Sequence, residues 1–210
     1  MKQNNRTPGA EKVPSIAKRF RGMLPIVVDV ETAGLRAETD ALLEVAAVML
    51  KMDTTGKLSR GETIAFHVEP FPGGVIMAEA LEINHIDPWH PFRFAIPEEQ
   101  AMHRLFQAIR EQLEKTECYR AVLVGHNAWF DLSFILAAAR RSQIQDIPFH
   151  TFTTLDTASL ASVAFGESVL ARAMRRARIS FDVNEAHSAI YDAEKTAELF
   201  CCIANRWGGV

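Results

Sequence analysis

Short apolar runs separated by turn residues characterise the first third of the chain. Three runs have strand length and are rich in β-branched or aliphatic residues: 25–30, 42–49 and 63–68. A polar segment ending in Gly56 separates the second run from the third and is typical of a turn. Because these connections are short, we expect the three strands to pair as an antiparallel meander.

Strand and helix patterns alternate along the rest of the chain. Residues 97–117 have apolar side chains at the 3.6-residue spacing of an amphipathic helix. Strands are predicted at 121–124 and 149–155, and helices at 128–141, 169–179 and 189–205. Asn127 is predicted to cap the helix that starts at 128, and Asp156 to cap a short helix after the strand at 149–155. The predicted fold class is α/β: a mixed five-stranded sheet, made of a three-strand antiparallel meander plus two parallel strands, flanked by helices.

Composition limits the choice of function. The 210 residues are 48% hydrophobic and 23% charged, as expected of one globular domain. We place a flexible N-terminal tail at residues 1–17 and a single domain at 18–210. No apolar run is long enough to span a membrane, so no membrane association is expected. The net charge of −3 excludes a uniformly basic nucleic-acid binder, so any nucleic acid must be attracted by local basic patches and metal ions.

Three cysteines stand at positions 118, 201 and 202. Their odd number and the absence of a C-x-x-C spacing disfavour a disulfide framework and a zinc knuckle. We therefore expect a cytoplasmic protein, where thiols stay reduced.

Acidic residues interrupt or end several of the predicted elements. Asp29 and Glu31 lie two apart at the end of the first strand, so alternation puts both side chains on one face of the sheet. Asp131 lies near the start of a helix, and Asp192 lies in the first turns of the last helix, five residues after His187. Burying a carboxylate without a partner is costly, and Asp29 stands within an otherwise apolar run. A metal ion accounts for that placement better than a solvated strand end does.

These residue types suit phosphodiester hydrolysis. Carboxylate oxygens are the ligands that Mg²⁺ and Mn²⁺ prefer, and two such ions stabilise both the entering and the leaving oxygen of a displacement at phosphorus. A histidine with a pKa near neutrality accepts the proton of the attacking water. Each residue also has an ordinary explanation by itself: a solvated strand end, a dipole-stabilised acid at a helix start, a surface histidine. A metal-free acidic cluster is the remaining alternative.

Three ordered motifs decide between these interpretations. The segments at 28–34, 126–131 and 186–192 resemble the three motifs of the DEDDh 3′→5′ exonuclease family. Further segments are similar to the ribonuclease T branch of that family: 20–22, 39–44, 67–71, 148–150, 186–189 and 205–207. The resemblance covers residues 18 to 207. It implies a ribonuclease H-like fold and a homodimeric exoribonuclease that trims the 3′ ends of tRNA and other stable RNAs such as rRNA precursors, and also acts on single-stranded DNA.

Catalytic roles follow from the same resemblance. It implies two Mg²⁺ ions per active site, with Mn²⁺ as a substitute. Asp29 would bridge both ions, Glu31 and Asp192 would complete the protein ligands of one, and Asp131 would support the other. His187 would be the general base. His126 is a rival base because it also lies in a motif, but its position differs from that of the family's catalytic histidine, so we expect a structural or substrate-backbone role for it.

Binding of the terminal bases is implied for a second set of residues. Phe130 and Phe152 match family positions that stack on bases, and Glu79 matches one that contacts the terminal base. Leu35 and Ile83 stand where the better-known family pattern has stacking phenylalanines. Aliphatic side chains wedge beside a base without offering a π face, so this chain departs from the pattern there. A core position for the phenylalanines and a surface position for Glu79 are the ordinary alternatives.

A basic patch is implied as well, because the net charge does not supply affinity for RNA. Arg19, Arg21 and Arg120 match the family's substrate-binding patch, which in such dimers serves the active site of the partner subunit. A further group of arginines at 172–178 is either a solvated helix face or an extension of the RNA track.

Two rival functions remain at the level of sequence. One is another DEDDh exonuclease, such as a DNA proofreading subunit or an oligoribonuclease; the segments at 20–22 and 148–150 argue against both. The other is a catalytically silent RNA-binding domain on the same fold. The complete acid set argues against it.

Overall fold

The computed structural model describes residues 14–207 and contains one mixed sheet with helices packed against it. The strands are β1 (Met23–Thr32), β2 (Leu42–Met52), β3 (Leu58–His67), β4 (Arg120–Gly125) and β5 (Phe149–Asp156). The helices are α1 (Ile16–Arg19), α2 (Ala78–Asn84), α3 (Glu98–Lys115), α4 (Trp129–Arg141), α5 (Thr157–Phe165), α6 (Leu170–Ala177) and α7 (Ala189–Trp207). A 3₁₀ turn, Pro91–Arg93, lies between α2 and α3.

The sheet has the predicted architecture. Its strand order is β3-β2-β1-β4-β5. β1 pairs antiparallel with β2, and β2 pairs antiparallel with β3, so the first three strands form the meander. β4 and β5 extend the sheet in parallel with β1. The three parallel strands therefore end at the same edge, where ligand sites of such sheets form.

The core explains why β1 is central. Ile26, Val27 and Val28 are fully buried, because β1 has a strand on each side and helices packed against it. α7 packs against β1, β2 and β3, and α4 contacts α3, β1 and β5. A carboxylate in the second half of β1 is therefore anchored in the core of the domain.

Of the two predicted helix caps, one is confirmed and the other is wrong. Asp156 caps α5 as predicted, since its carboxylate accepts from the N–H groups of Ala158 and Ser159. The prediction that Asn127 caps α4 is wrong. The cap residue is Ala128, which has no side-chain cap bond, and Asn127 lies in the left-handed region with φ 66°. Asn127 instead donates its N–H to Asp156 Oδ1 at 2.8 Å, so Asp156 joins this loop to α5.

The predicted domain boundary at residue 18 falls inside α1. Ser15 caps this short helix through its side chain, and Ile16 is only 6% exposed and part of the main core. The folded domain thus begins before residue 18. Residues 1–13 of the predicted tail lie outside the described residues. Among residues 14–207, no helix is long and apolar enough to cross a membrane.

Candidate active site

The two acids of β1 lie side by side on one face, as the alternation predicts. Asp29 pairs with Ala46 of β2, and Glu31 pairs with Glu44 of the same strand. The antiparallel pairing therefore puts a third acid directly opposite Glu31. Glu44 in turn contacts His67 Nδ1 at 2.8 Å. The carboxyl end of β1 is thus a concentrated source of negative charge.

Asp131 reaches the end of β1 from the first turn of α4. Its side chain is 4% exposed, and its Oδ1 accepts the N–H of Val30 at 3.1 Å. Gly125 leaves room for it, since a Cβ at this position would lie 2.9 Å from Asp131 Oδ2. The glycine at the end of β4 therefore permits the carboxylate to approach Asp29.

Asp192 and His187 come from the start of α7. The main-chain N–H of His187 donates to Asp192 Oδ2 at 2.9 Å. Asp192 Oδ1 is buried and has no hydrogen-bond partner among the described residues. His187 has φ 66°, and this backbone bend precedes the helix and brings its ring to the cleft. Ligand atoms of Glu31, His187 and Asp192 all lie within 4.8 Å of one another.

One cleft of about 480 Å³ brings the predicted catalytic residues together. It is lined by Asp29, Val30, Glu31, Leu35, His126, Asn127, Trp129, Phe130, Asp131, His187 and Asp192. All four predicted metal-binding acids and the predicted base are members. Residues separated by more than 160 positions in the chain thus meet at the carboxyl ends of β1 and β4 and the start of α7.

The surroundings of the four acids disfavour the charged form of each carboxyl group. Burial is the main cause that raises the pKa of Asp29 well above its ordinary value, and the nearby carboxylates of Asp131, Glu31 and Asp192 raise it further. Burial also raises the pKa of Glu31 to about 8 and that of Asp131 to about 8. The pKa of Asp192 is raised as well, again mainly by burial. Protein groups alone therefore do not compensate these charges at neutral pH.

A divalent cation fits this donor set. Hard cations prefer carboxylate oxygens, and a cation lowers the pKa of the carboxylates that bind it. The buried Asp192 Oδ1 has no partner, which is unusual for a buried polar atom and is expected of a ligand atom. The group Glu31, His187 and Asp192 is therefore a candidate metal site, with Asp29 adjoining it.

His126 lines the same cleft but is tied to its surroundings at both ring nitrogens. Nε2 lies 2.7 Å from the carbonyl oxygen of Ser168, and Nδ1 lies 3.0 Å from Thr157 Oγ1. Burial lowers the pKa of the ring, so it is neutral at pH 7. These contacts join the loop before α4 to α5 and to the segment before α6, which favours the predicted structural role.

The predicted base-binding residues divide into two groups. Leu35 and Phe130 line the cleft, and Leu35 is 81% exposed. Phe130 is half-buried and packs against Phe134 of the same helix, with ring centroids 5.0 Å apart. Their positions in the cleft agree with a role in contacting substrate.

The other three lie outside the cleft lining. Ile83 and Glu79 are exposed on α2, and Phe152 is 92% exposed on β5. Ile83 nevertheless adjoins the site through its neighbour Asn84, whose side chain donates to the carbonyl oxygen of Thr32 and lowers the pKa of Glu31. A substrate that enters the cleft would have to extend beyond it to reach Phe152.

The three predicted patch arginines lie at the amino ends of β1 and β4, opposite the acids. Arg120 pairs with Met23, the first residue of β1, so this edge is separated from Glu31 by eight residues of strand, about 26 Å. Arg19 donates to the carbonyl oxygens of Gly56 and Ala204, and Arg120 donates to that of Ile147 at 2.8 Å. Arg21 is exposed, with φ 56°.

Three residues near the acids were missed by the sequence analysis. Glu44 raises the pKa values of Asp29 and Glu31, Asn84 lowers that of Glu31, and Trp129 lines the cleft. Glu44 belongs to a segment that resembles the family, yet only the strand register places it opposite Glu31. For Asn84, no local sequence pattern gave a signal, since its contact with the carbonyl oxygen of Thr32 joins residues 52 positions apart.

Comparison with known proteins agrees with this geometry. The RNase T exonuclease family model matches residues 26–200. Ribonuclease T of Marinobacter nauticus is 55% identical over 91% of this chain and 87% of its own length. Ribonuclease T of Vibrio vulnificus is 53% identical, covering 92% of this chain and 89% of its own.

Solved structures agree on the fold. E. coli exonuclease I, in complex with a dT13 oligonucleotide, superimposes with a TM-score of 0.68 at 17% identity. The match covers 88% of this chain and 41% of that one, so the present chain spans about two fifths of that protein's length. The fold is thus the ribonuclease H-like exonuclease fold. With a family match over most of its length and relatives more than half identical, the chain belongs to the ribonuclease T family of exonucleases.

Proposed function

We propose that this protein is a metal-dependent 3′→5′ exoribonuclease that trims the single-stranded 3′ ends of tRNA and other stable RNAs. It removes one nucleoside 5′-monophosphate at a time and also degrades single-stranded DNA. The observation that supports this most strongly is the meeting of Asp29, Glu31, Asp131, Asp192 and His187 in one cleft of a chain of the ribonuclease T family.

His187 is the general base of the proposed reaction. Its side chain is exposed at the cleft, while its main-chain N–H is held by Asp192. In the proposed step a water molecule attacks phosphorus, its proton passes to a ring nitrogen of His187, and the bond from phosphorus to the 3′ oxygen breaks. The leaving oxygen takes a proton from solvent, which leaves a shortened chain with a 3′ hydroxyl.

Two Mg²⁺ ions are the proposed cofactors, with Mn²⁺ as a substitute. Asp29 would contact both ions, Glu31 and Asp192 would hold one, and Asp131 would support the other. When bound, such ions supply charge stabilisation at the attacking and leaving oxygens. Asp131 is fixed for this role by the N–H of Val30.

The position of the arginines supports the proposed homodimer. Because Arg21 precedes β1 and the acids stand near the other end of this strand, it does not contact the nucleotide being removed in its own subunit. A second copy of the chain, with its patch facing this cleft, would place Arg21 and its neighbours along the entering RNA. Arg19 and Arg120 would then contribute mainly by shaping this edge, since their guanidinium groups already bind main-chain carbonyls. The proposed place of action is the cytoplasm, which suits three free cysteines.

A labelled-substrate time course tests the proposal. A single-stranded RNA labelled at either its 3′ or its 5′ end is incubated with and without Mg²⁺. We expect immediate release of labelled mononucleotide from the 3′-labelled strand and a ladder of shortening products from the 5′-labelled strand, both only with Mg²⁺. Internal cleavage or metal-independent hydrolysis would overturn the assignment.

A comparison of substrates distinguishes the proposed function from those of the rival exonucleases. The protein is given tRNA with an extended 3′ end, dinucleotides and a mismatched primer end in parallel. Preference for tRNA supports the ribonuclease T function. Preference for dinucleotides or for the mismatched primer would favour an oligoribonuclease or a proofreading exonuclease instead, and binding without hydrolysis would favour a silent RNA-binding domain.

A further inference from the structure

Trp129 is a large aromatic side chain exposed in the cleft. It is the first residue of α4, it is 68% exposed, and it lines the same cleft as Asp29, His187 and Leu35. The core of the domain leaves most of its ring in contact with solvent. An exposed aromatic ring that lines a cleft with functional groups is available for stacking on a nucleobase.

The ring of Trp129 is oriented by a neighbour that the core fixes. It lies edge-on to Phe130, with centroids 5.9 Å apart and planes at 88°. Phe130 in turn packs against the fully buried Phe134. The two rings are therefore nearly perpendicular, with the indole of Trp129 exposed and the phenyl ring of Phe130 half-buried.

The remaining apolar side chains near the cleft are aliphatic. Leu35 lines the cleft and Ile83 is exposed on α2, one residue before Asn84, which donates to the carbonyl oxygen of Thr32; neither aliphatic side chain has a π face. Every nucleobase has a π face, and stacking on an aromatic ring binds it with little dependence on sequence. Of the side chains that line the cleft, Trp129 offers the largest aromatic surface, and it is exposed where Phe130 is partly covered.

We propose that Trp129 is a base-stacking residue of the active-site cleft. Its indole takes a nucleobase near the 3′ end of a single-stranded substrate and supplies the π face that Leu35 and Ile83 lack. This inference rests on the proposed exonuclease function and adds a residue that determines how tightly the substrate end is held. Because an indole is larger than a phenyl ring, purines should gain more from it than pyrimidines.

Fluorescence tests the contact without relying on turnover. The chain has three tryptophans, so the substitutions Trp89→Phe and Trp207→Phe leave Trp129 as the only indole. This variant, also bearing Asp29→Asn to prevent hydrolysis, is titrated with an adenylate dinucleotide in Mg²⁺. The dinucleotide is too short to extend far beyond the cleft. We expect saturable quenching of the Trp129 emission.

A matched variant controls for nonspecific quenching. It retains only Trp207, which lies 15 residues after Asp192 on α7, about 22 Å away. Its emission should stay constant. Equal quenching of both variants, or none of Trp129, would overturn the proposal.

Kinetics give the second test. Trp129→Leu keeps an apolar side chain but removes the π face, so we expect KM for oligoadenylate to rise about tenfold with kcat within about twofold. Trp129→Phe should restore most of the affinity, and oligouridylate should show a smaller rise in KM. Trp207→Leu is the control and should leave both constants unchanged.

The outcomes distinguish this inference from the proposed function. An unchanged KM in Trp129→Leu overturns the stacking role while leaving the exonuclease function intact. A fall in kcat that Trp129→Phe does not repair shows that the side chain only holds the start of α4, and this also overturns the role. If the unsubstituted protein hydrolyses no substrate, the proposed function fails, whereas the fluorescence titration still decides whether Trp129 stacks on a base.

Discussion

The carboxyl end of β1 gathers acids whose charges are opposed by burial and by each other, whereas two of the three arginines at the amino end of the same strand donate to main-chain carbonyls. At the first end, the buried Asp131 and the half-buried Asp29 and Glu31 lie together and their pKa values are raised. At the second end, Arg19 and Arg120 donate to main-chain carbonyls. Both sets of residues match family motifs. Only the acids carry charges that the protein does not balance and that a bound cation would stabilise.

This difference distinguishes side chains that are expected to bind a ligand from side chains that stabilise the fold. A buried polar group without a partner is costly, so its retention indicates that something outside the chain supplies the missing interaction. A buried or half-buried arginine that binds carbonyls is already explained by the fold. Of the three patch residues, Arg21 is the one whose side chain is exposed and has no such structural explanation.

The largest effect is expected at the acidic end. Asp29→Asn should lower hydrolysis by more than roughly a thousandfold, because it removes the charge that would bridge both ions. Without metal, the variant should unfold at a higher temperature than the parent, since burial and neighbouring carboxylates oppose the Asp29 charge. Single-turnover assays and thermal unfolding in chelator measure the two effects.

Glu62→Gln provides the control for charge removal, because Glu62 is exposed on β3. It should leave both activity and the unfolding temperature unchanged. Activity of Asp29→Asn within about tenfold of the parent would contradict the two-metal assignment.

A smaller loss is expected from the proposed base. His187→Ala should lower kcat by roughly 10²- to 10³-fold, the range for a general base, while Mg²⁺ affinity measured by calorimetry changes little. The ring of His187 is also close enough to Glu31 and Asp192 to be a ligand. A matching loss of metal affinity would therefore assign it that role instead.

Substitutions of two other histidines test whether the loss of activity is specific to His187. His126→Ala should reduce activity less than His187→Ala, because both ring nitrogens of His126 are engaged in structural contacts. His103→Ala, on the exposed face of α3, should have no effect. If His126→Ala were the most damaging of the three, the choice of base would be wrong.

The sequence predicted the sheet and the acids well because both depend on local patterns. Alternation along β1 is enough to place Asp29 and Glu31 on one face, and a carboxylate inside an apolar strand is visible without a structure. The family motifs then joined these acids to Asp131 and Asp192. None of this required the register of one strand against another.

What the sequence did not predict depends on distant contacts. Asn127 has the right chemistry for a cap, but the Asp156 carboxylate, 29 residues later, takes its N–H and the chain turns left-handed there. Arg19 binds the carbonyl of Ala204, 185 residues away, which no local pattern indicates. Glu44 joins the site only through its pairing with Glu31.

The stability of the metal-free protein should depend on pH in a characteristic direction. Glu31 and Asp131 have pKa values of about 8 in the folded protein, above their ordinary values of 4.5 and 3.8. Between those limits the folded state binds more protons than the unfolded state, so stability falls as pH rises through 8. In chelator, we expect the Tm to drop from pH 5 to pH 9 by at least roughly 4–8 °C, the change that about 2 kcal/mol causes in a domain of this size.

Two controls test whether the buried acids cause this dependence of Tm on pH. Mg²⁺ should remove most of it, and Asp131→Asn should make it shallower in chelator. A Tm that rises over this range, or a slope that Mg²⁺ does not alter, would mean that the buried acids are not the cause.

The smallest effect is expected at the opposite end of β1. Arg21→Gln should raise KM for tRNA a few-fold with kcat unchanged, and should reduce the salt dependence of RNA binding by roughly 0.7 in the log–log slope, the value for one contact to a single strand. Arg178→Gln is a close control, since Arg178 is also exposed and also has a left-handed backbone, with φ 62° against 56° for Arg21. It should have a weaker effect or none.

A mixed dimer then shows whether Arg21 acts on its own subunit or on the partner. When one subunit bears Arg21→Gln and the other bears Asp29→Asn, the intact active site faces the intact patch of the partner and should behave as one normal site. When both substitutions are in one subunit, the intact site faces the altered patch and should show the raised KM. Equal KM values in the two arrangements would rule out action across the dimer, and a monomer in light scattering would rule out the dimer. Either result would mean that RNA runs back along the length of β1 on its own subunit to reach Arg21, or that it does not contact Arg21 at all.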